Sequence, residues 1–217
     1  MTPGPVGSGA VRVVLASASP ARLAILRAAG IDPLVEVSDL DEEALLASVP
    51  HASAGEKVTT LAGAKATTIA RRIADAHPDA IVIGCDSMLH IGDELVGKPA
   101  DGDEVRRRWR GMAGGVGELL TGHAVLRMID GEIDRVAEGH AVTSVRFAEP
   151  TDAELDAYIG TGEPLAVAGA FTLDGLGGWF VEGIDGDPSN VIGISLPLVR
   201  RLLAGVGVTV TDLWQQV

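Results

Sequence analysis

Ser17, Ser19 and Arg22 stand close together in Leu15-Ala16-Ser17-Ala18-Ser19-Pro20-Ala21-Arg22. Two hydroxyls and a guanidinium at this spacing suit phosphate oxygens, because Arg presents a planar fork of donors. Ser19 is a natural N-cap and Pro20 suits the first helical position, so free backbone N–H groups of a helix start would attract an anion there. Further along, the apolar run Ala80–Gly84 ends in Cys85-Asp86-Ser87. A carboxylate at the end of a buried strand in an α/β sheet lies where ligands bind. Gly97-Lys98-Pro99 then presents one ammonium on a rigid turn, and an intervening hairpin would bring it back toward Asp86. Asp39, Asp41, Glu42 and Glu43 make an acidic segment, and such carboxylates hold Mg²⁺ or Mn²⁺ when phosphate oxygens complete the shell. Each group also has a plainer reading: a capped helix, a turn aspartate, a loop lysine, a solvated acidic face. The residues alone leave both open.

Other chemistries lack their residues. The five histidines show no zinc-type spacing, which predicts structural or surface roles for them. Cys85 is the single cysteine and reads as a small buried residue rather than a nucleophile. Neither G-x-x-x-x-G-K-[ST] nor G-x-G-x-x-G occurs, so the many late glycines serve tight turns or close backbone approach. Of the 17 basic residues only Lys57, Lys65 and Lys98 are lysines, which marks them as candidate point charges.

These groups need elements to hold them. Val11–Ala16 predicts a buried strand, followed by a helix from Ser19 whose apolar face is Leu23, Ile25, Leu26 and Ala29, ending at Gly30. A strand is expected near Leu34–Val37. Ser53 and Glu56 form a capping box that opens a long helix to about His77, before Pro78. Ala80–Gly84 reads as a strand, Met88–Val96 as a hairpin about Gly92-Asp93, and Asp101–Arg110 as a capped helix. Leu119–Ile129 and Ile133–Phe147 read as long antiparallel strands around Asp130-Gly131. Thr151 and Glu154 open a helix to about Ile159, and the last helix covers Leu196–Ala204. This mixture predicts an α/β fold.

Composition narrows the class. At 47% apolar and 22% charged the chain is an ordinary globular protein, with a core that must be mainly aliphatic because aromatics are 3%. A net charge of −13 argues against a general nucleic-acid binder. No apolar run is long enough for a membrane span, and residues 1–10 lack a signal-peptide pattern and read as a flexible lead-in. Residues 11–217 are expected to form one domain. A lone cysteine excludes an internal disulfide and fits a reducing cytoplasm.

Together the motifs resemble the Maf family of nucleoside triphosphate pyrophosphatases. The resemblance runs from Leu15-Ala16-Ser17 through Leu61-Ala62-Gly63-Ala64-Lys65-Ala66, Cys85-Asp86-Ser87, Gly97-Lys98-Pro99, Thr121-Gly122 and Gly162-Glu163-Pro164 to Asn190-Val191-Ile192-Gly193. It implies a two-lobed fold with a mixed, partly antiparallel sheet flanked by helices, a deep central cleft and a homodimer. It implies hydrolysis of a nucleoside triphosphate to monophosphate and pyrophosphate with a divalent metal. On this resemblance Asp86 is the proton acceptor, Ser17, Arg22, Lys65 and Lys98 contact phosphates, and Glu42 holds the metal, with Asp86 a second ligand. The helix start at Ser19 would anchor one end of the polyphosphate. Three departures stand out: Ala21 replaces the first Arg of a pair, Ser87 replaces Thr, and Asp174 stands where pyrimidine-preferring members carry Gln. Such an Asp, if it faces the base, favours one that offers N–H donors. The rival expectation is a nucleotide-binding regulator of cell division that does not turn over.

Overall fold

Side chains alternate along strand β1 (Arg12–Ala16), and both faces are buried: Val13 and Leu15 on one, Val14 and Ala16 on the other. A strand covered on both sides belongs inside an α/β layer structure. The computed structural model describes residues 11–214, so the lead-in expected over residues 1–10 lies outside the described residues. Among the described residues the sheet has seven strands in the order β2-β1-β3-β5-β6-β7, with β4 on β3. Here β2 is Leu34–Val35, β3 Ala80–Ile91, β4 Glu94–Val96, β5 Val116–Ile129, β6 Glu132–Phe147 and β7 Val181–Asp185. β1 pairs parallel with β2 and β3, and every other pairing is antiparallel. The expected mixed sheet flanked by helices is the observed one.

Helix α1 (Pro20–Ala28) and helix α7 (Leu196–Gly205) cover one face over Leu15, Ile81, Ile83 and Val125. Helix α3 (Ala54–Ile73) covers the other over Val14, Val82, Ala124 and Leu126. Its Ser53–Glu56 capping box forms as expected, and Val58, Leu61, Ala62, Ala66, Ile69 and Ile73 recur at helical spacing as its buried stripe. A second lobe sits at the far end of β3, β5 and β6, where helix α4 (Gly102–Met112) and helix α5 (Asp152–Gly160) pack. There the aliphatic expectation gives way. All three phenylalanines and the only tyrosine gather near Trp109, whose ring meets Phe147 and Phe180 edge-on with centroids 5.8 Å apart in both cases.

One boundary matters for the site. The expected strand end at Cys85-Asp86-Ser87 is wrong: β3 runs on to Ile91, so Asp86 lies in its interior. β5 accounts for this, because it pairs with β3 without interruption from Ala80 to His90. What stops near Asp86 is the other neighbour. β1 leaves the sheet at Ala16, opposite Gly84, and β4 joins only at Leu89. Cys85 to Met88 therefore have one strand edge free of a strand partner, and the cleft opens there. The late glycine-rich region also holds β7 and a short helix, α6 (Pro188–Ile192), which sequence periodicity did not show.

Candidate active site

Both faces of the sheet reach the open edge of β3. Asp86 lies on the α3 face, and Cys85 and Ser87 on the opposite one, by simple alternation. A cleft of about 590 Å³ runs across this edge, and its lining includes Ser17, Ser19, Arg22, Glu42, Lys65, Asp86, Lys98 and Asp174. All eight candidate residues from the sequence thus meet in one place, with the 165–174 segment of the second lobe forming the opposite wall.

On the α3 side, Lys65 bridges two acids. Its Nζ donates to Asp86 Oδ1 at 2.6 Å and lies 2.7 Å from Glu42 Oε1. Glu42 is there because Asp41 caps a helix, α2 (Glu42–Ser48), through a 2.9 Å bond from Ala44 N. Sequence reading placed candidate metal ligands on this acidic segment but no helix. The capping aspartate and two first-turn glutamates were the available signal. Asp86 is 7% exposed, and burial pushes its carboxyl above the usual carboxylate range, opposed by the charges of Lys65 and Arg22. Its Oδ2 has no hydrogen-bond partner among the described residues.

On the other side Arg22 is a knot of long-range bonds. Nε donates to Gly193 O at 2.8 Å, Nη1 to Ser17 Oγ and Cys85 O at 2.9 Å each, and Nη2 to Ser87 Oγ at 3.0 Å. Four of its five N–H groups are thereby taken by the protein, leaving one for a ligand. Arg22 thereby ties the α1 entry, the open edge of β3 and the Gly193 turn together. Ser19 caps α1 by accepting from Arg22 N at 3.4 Å, as expected. Behind them Ser87 Oγ and Thr121 Oγ1 are 2.9 Å apart, and Thr121 donates to Asn190 O at 3.2 Å.

Sequence reading missed the importance of two further residues. Glu163 accepts from Thr172 Oγ1 at 2.6 Å, Gly177 N at 2.9 Å and Leu176 N at 3.0 Å, which fastens the loop carrying the exposed Asp174. His123 is fully buried. Its Nε2 accepts from Ser195 N at 2.8 Å, so Nδ1 carries the proton and donates to Thr121 O at 3.0 Å. Burial, then the nearby Arg22 charge, hold its pKa down to about 4 against an ordinary 6.5. Between these values the unfolded chain binds a proton that the folded chain refuses. This contribution to stability is therefore complete above pH 6.5 and lost as pH falls toward 4, by roughly 3 kcal/mol. Urea unfolding at pH 7 and pH 4.5 should show a smaller acid-induced loss in His123→Asn than in wild type. An equal loss in both proteins would contradict this. The expected inert character of Cys85 also holds, since burial pushes its thiol up to about 11.

The residues present fit a divalent cation of the Mg²⁺ type. Among the described residues no group of three or more His, Cys, Asp or Glu side chains could hold a metal by itself. Glu42 and Asp86, with the unpartnered Asp86 Oδ2, make a two-carboxylate donor set, which suits a cation that takes its remaining ligands from water and phosphate. Among the described residues no helix is long and apolar enough to cross a membrane.

Fold and site define an α/β protein with a cleft that sets three cationic side chains against a buried carboxylate. The chain belongs to the Maf family: the family model "Maf-like protein" matches residues 12–206. A nucleoside triphosphate pyrophosphatase of Saccharopolyspora erythraea is 60% identical over 205 residues, covering 94% of this chain and 97% of that one. A second, from Rhodococcus erythropolis, is 59% identical over 206 residues, with 94% and 97% covered. Among solved structures, the Ham1 protein of Staphylococcus aureus shares 13% identity at a TM-score of 0.37, over 64% of this chain and 72% of that one, a likeness too distant to carry weight.

Proposed function

We propose that this protein hydrolyses a nucleoside triphosphate to the monophosphate and pyrophosphate, with Asp86 accepting the proton of the water that attacks the α-phosphorus. The observation that carries the reading is Asp86 itself, a buried carboxylate whose Oδ1 is held by Lys65 and whose Oδ2 has no partner, in a cleft lined by cations. The names of the relatives at 60% and 59% identity support the same reaction class. Burial makes this carboxylate more basic than an ordinary one, which favours proton transfer from water. Lys65, Lys98 and the remaining N–H of Arg22 are the groups that would stabilise charge on the polyphosphate as the bond breaks. Ser17 and the helix start at Ser19 would fix one end of it. A divalent cation held by Glu42 and Asp86 would neutralise phosphate charge and make bound water more acidic.

Steady release of pyrophosphate from a nucleoside triphosphate, one per monophosphate formed, is the expected result in the presence of Mg²⁺ or Mn²⁺. Excess chelator should abolish it and added cation restore it. Binding of nucleotide without turnover under these conditions would overturn the reading and favour a regulator. Substrate choice should turn on Asp174. Its carboxylate only accepts hydrogen bonds, so it suits a guanine-type edge with two N–H donors, whereas Gln can both donate and accept. Asp174→Gln should shift kcat/KM toward UTP and dTTP, relative to GTP and 7-methyl-GTP, by about tenfold, the value of one good hydrogen bond. An unchanged ranking of the four would show that Asp174 does not read the base.

A further inference from the structure

The Lys65 ammonium stands between the two carboxylates that a divalent cation would need. Nζ is 2.7 Å from Glu42 Oε1 and 2.6 Å from Asp86 Oδ1. One ammonium between two carboxylates offsets part of their charge when no other cation is present. It also competes with metal. Even on the open Asp86 Oδ2, a dication would sit within a few ångströms of the ammonium and be repelled by it. Metal therefore binds well only when Lys65 moves away.

The cations of the cleft differ in their freedom to do this. Arg22 is fixed through four N–H groups on residues as distant as Gly193. Lys65 ends a flexible four-carbon stem on α3, lines the cleft, and is held there by ion pairs alone to Glu42 and Asp86. A polyphosphate in the same cleft offers that ammonium a second polyanion to pair with.

We propose that Lys65 is an exchangeable counter-ion: it neutralises Glu42 and Asp86 in the nucleotide-free protein and transfers to the polyphosphate when nucleotide enters, releasing both carboxylates to the cation. This rests on the nucleoside triphosphate reading above. Metal alone then binds weakly, nucleotide and metal reinforce each other, and by linkage each raises the other's affinity by the same factor. Free cation is also kept off Asp86 until there is substrate to attack.

The chain has only three lysines, so protein labelled at lysine ¹⁵Nζ and ¹³Cε gives three side-chain NMR signals, and Lys65→Met assigns one of them. In wild type, Mg²⁺ alone should leave the Lys65 signal in place, while Mg²⁺ with α,β-methylene-GTP or α,β-methylene-UTP should move it. Mn²⁺ binding without nucleotide, followed by electron paramagnetic resonance, should tighten about tenfold in Lys65→Met, within the usual range of coupling between sites, and not in Lys65→Arg. Equal Mn²⁺ affinity in wild type and a folded Lys65→Met protein overturns the proposal, as does a Lys65 signal that Mg²⁺ alone moves fully. If Mn²⁺ and the analogues bind together while the Lys65 signal stays fixed, the exchange is wrong and the nucleoside triphosphate reading stands. If they bind to no form of the protein, that reading falls and the exchange with it.

Discussion

Asp86→Asn should fold, bind nucleotide, and lose turnover by a factor on the order of 10²–10⁴, the usual value of a general base. The fold should survive because Asn is nearly isosteric and its amide oxygen can still accept from Lys65, which now donates to Asp86 Oδ1 at 2.6 Å. Replacing a buried charge with a neutral amide also removes a desolvation cost at a residue only 7% exposed. Nucleotide affinity should hold, because the change takes a negative charge away from a site for a polyanion. What disappears is the proton acceptor and, with it, one of the two carboxylates proposed to hold the cation, which deepens the loss of turnover beyond that of the base alone. The expected pattern is therefore a collapsed kcat with a KM or Kd within a few-fold of wild type, and a folded Asp86→Asn protein with near-normal kcat would end this assignment.

Gly122→Ala should have the largest effect on the fold. An added Cβ at Gly122 would overlap Val58 O and Thr59 N, both backbone atoms of α3. No rotamer relieves that contact, so the helix has to lift off the sheet. Overpacking of this kind costs about 3 kcal/mol or more. Gly122 is the cross-strand partner of Asp86, so the displacement falls on the stretch of α3 that brings Lys65 to Asp86. Any folded fraction should lose activity by about 10²-fold, as expected for a misplacement of about 1 Å. Gly111 is the control, because a Cβ there meets no atom within 4 Å and it lies inside helix α4. Gly111→Ala should be neutral or stabilising by about 0.5–1 kcal/mol. Thermal unfolding of both variants checks the pair, and a Gly122→Ala protein as stable as wild type would mean that α3 does not pack this closely.

Gly122 also shows where sequence reading stopped. A lone glycine inside a strand pattern signals a close approach but does not say of what. Asp86 was placed at a strand end because the apolar run stops at Gly84, yet the strand continues to Ile91 since its partner β5 does. The terminus belongs instead to β1, which departs at Ala16. Arg22 read as a phosphate ligand from its neighbours Ser17 and Ser19. Most of its donors turn out to serve the fold, through an acceptor 171 residues away at Gly193.

What the sequence by itself determined is local in range. The Ser53–Glu56 and Thr151–Glu154 boxes, the Ser19 cap and the buried alternation of β1 are encoded within a few residues, by hydrogen bonds and periodicity that need no distant partner. The motifs also marked eight of the residues that line the cleft. Tertiary structure alone decided what those residues do to one another. Lys65 meets Glu42 and Asp86 only because α2, α3 and β3 converge at an edge that β1 vacates, and Arg22 is pinned only because the Gly193 turn returns to it. The physical reason is that charge, burial and hydrogen-bond saturation depend on which atoms lie within a few ångströms, and chain order does not specify that.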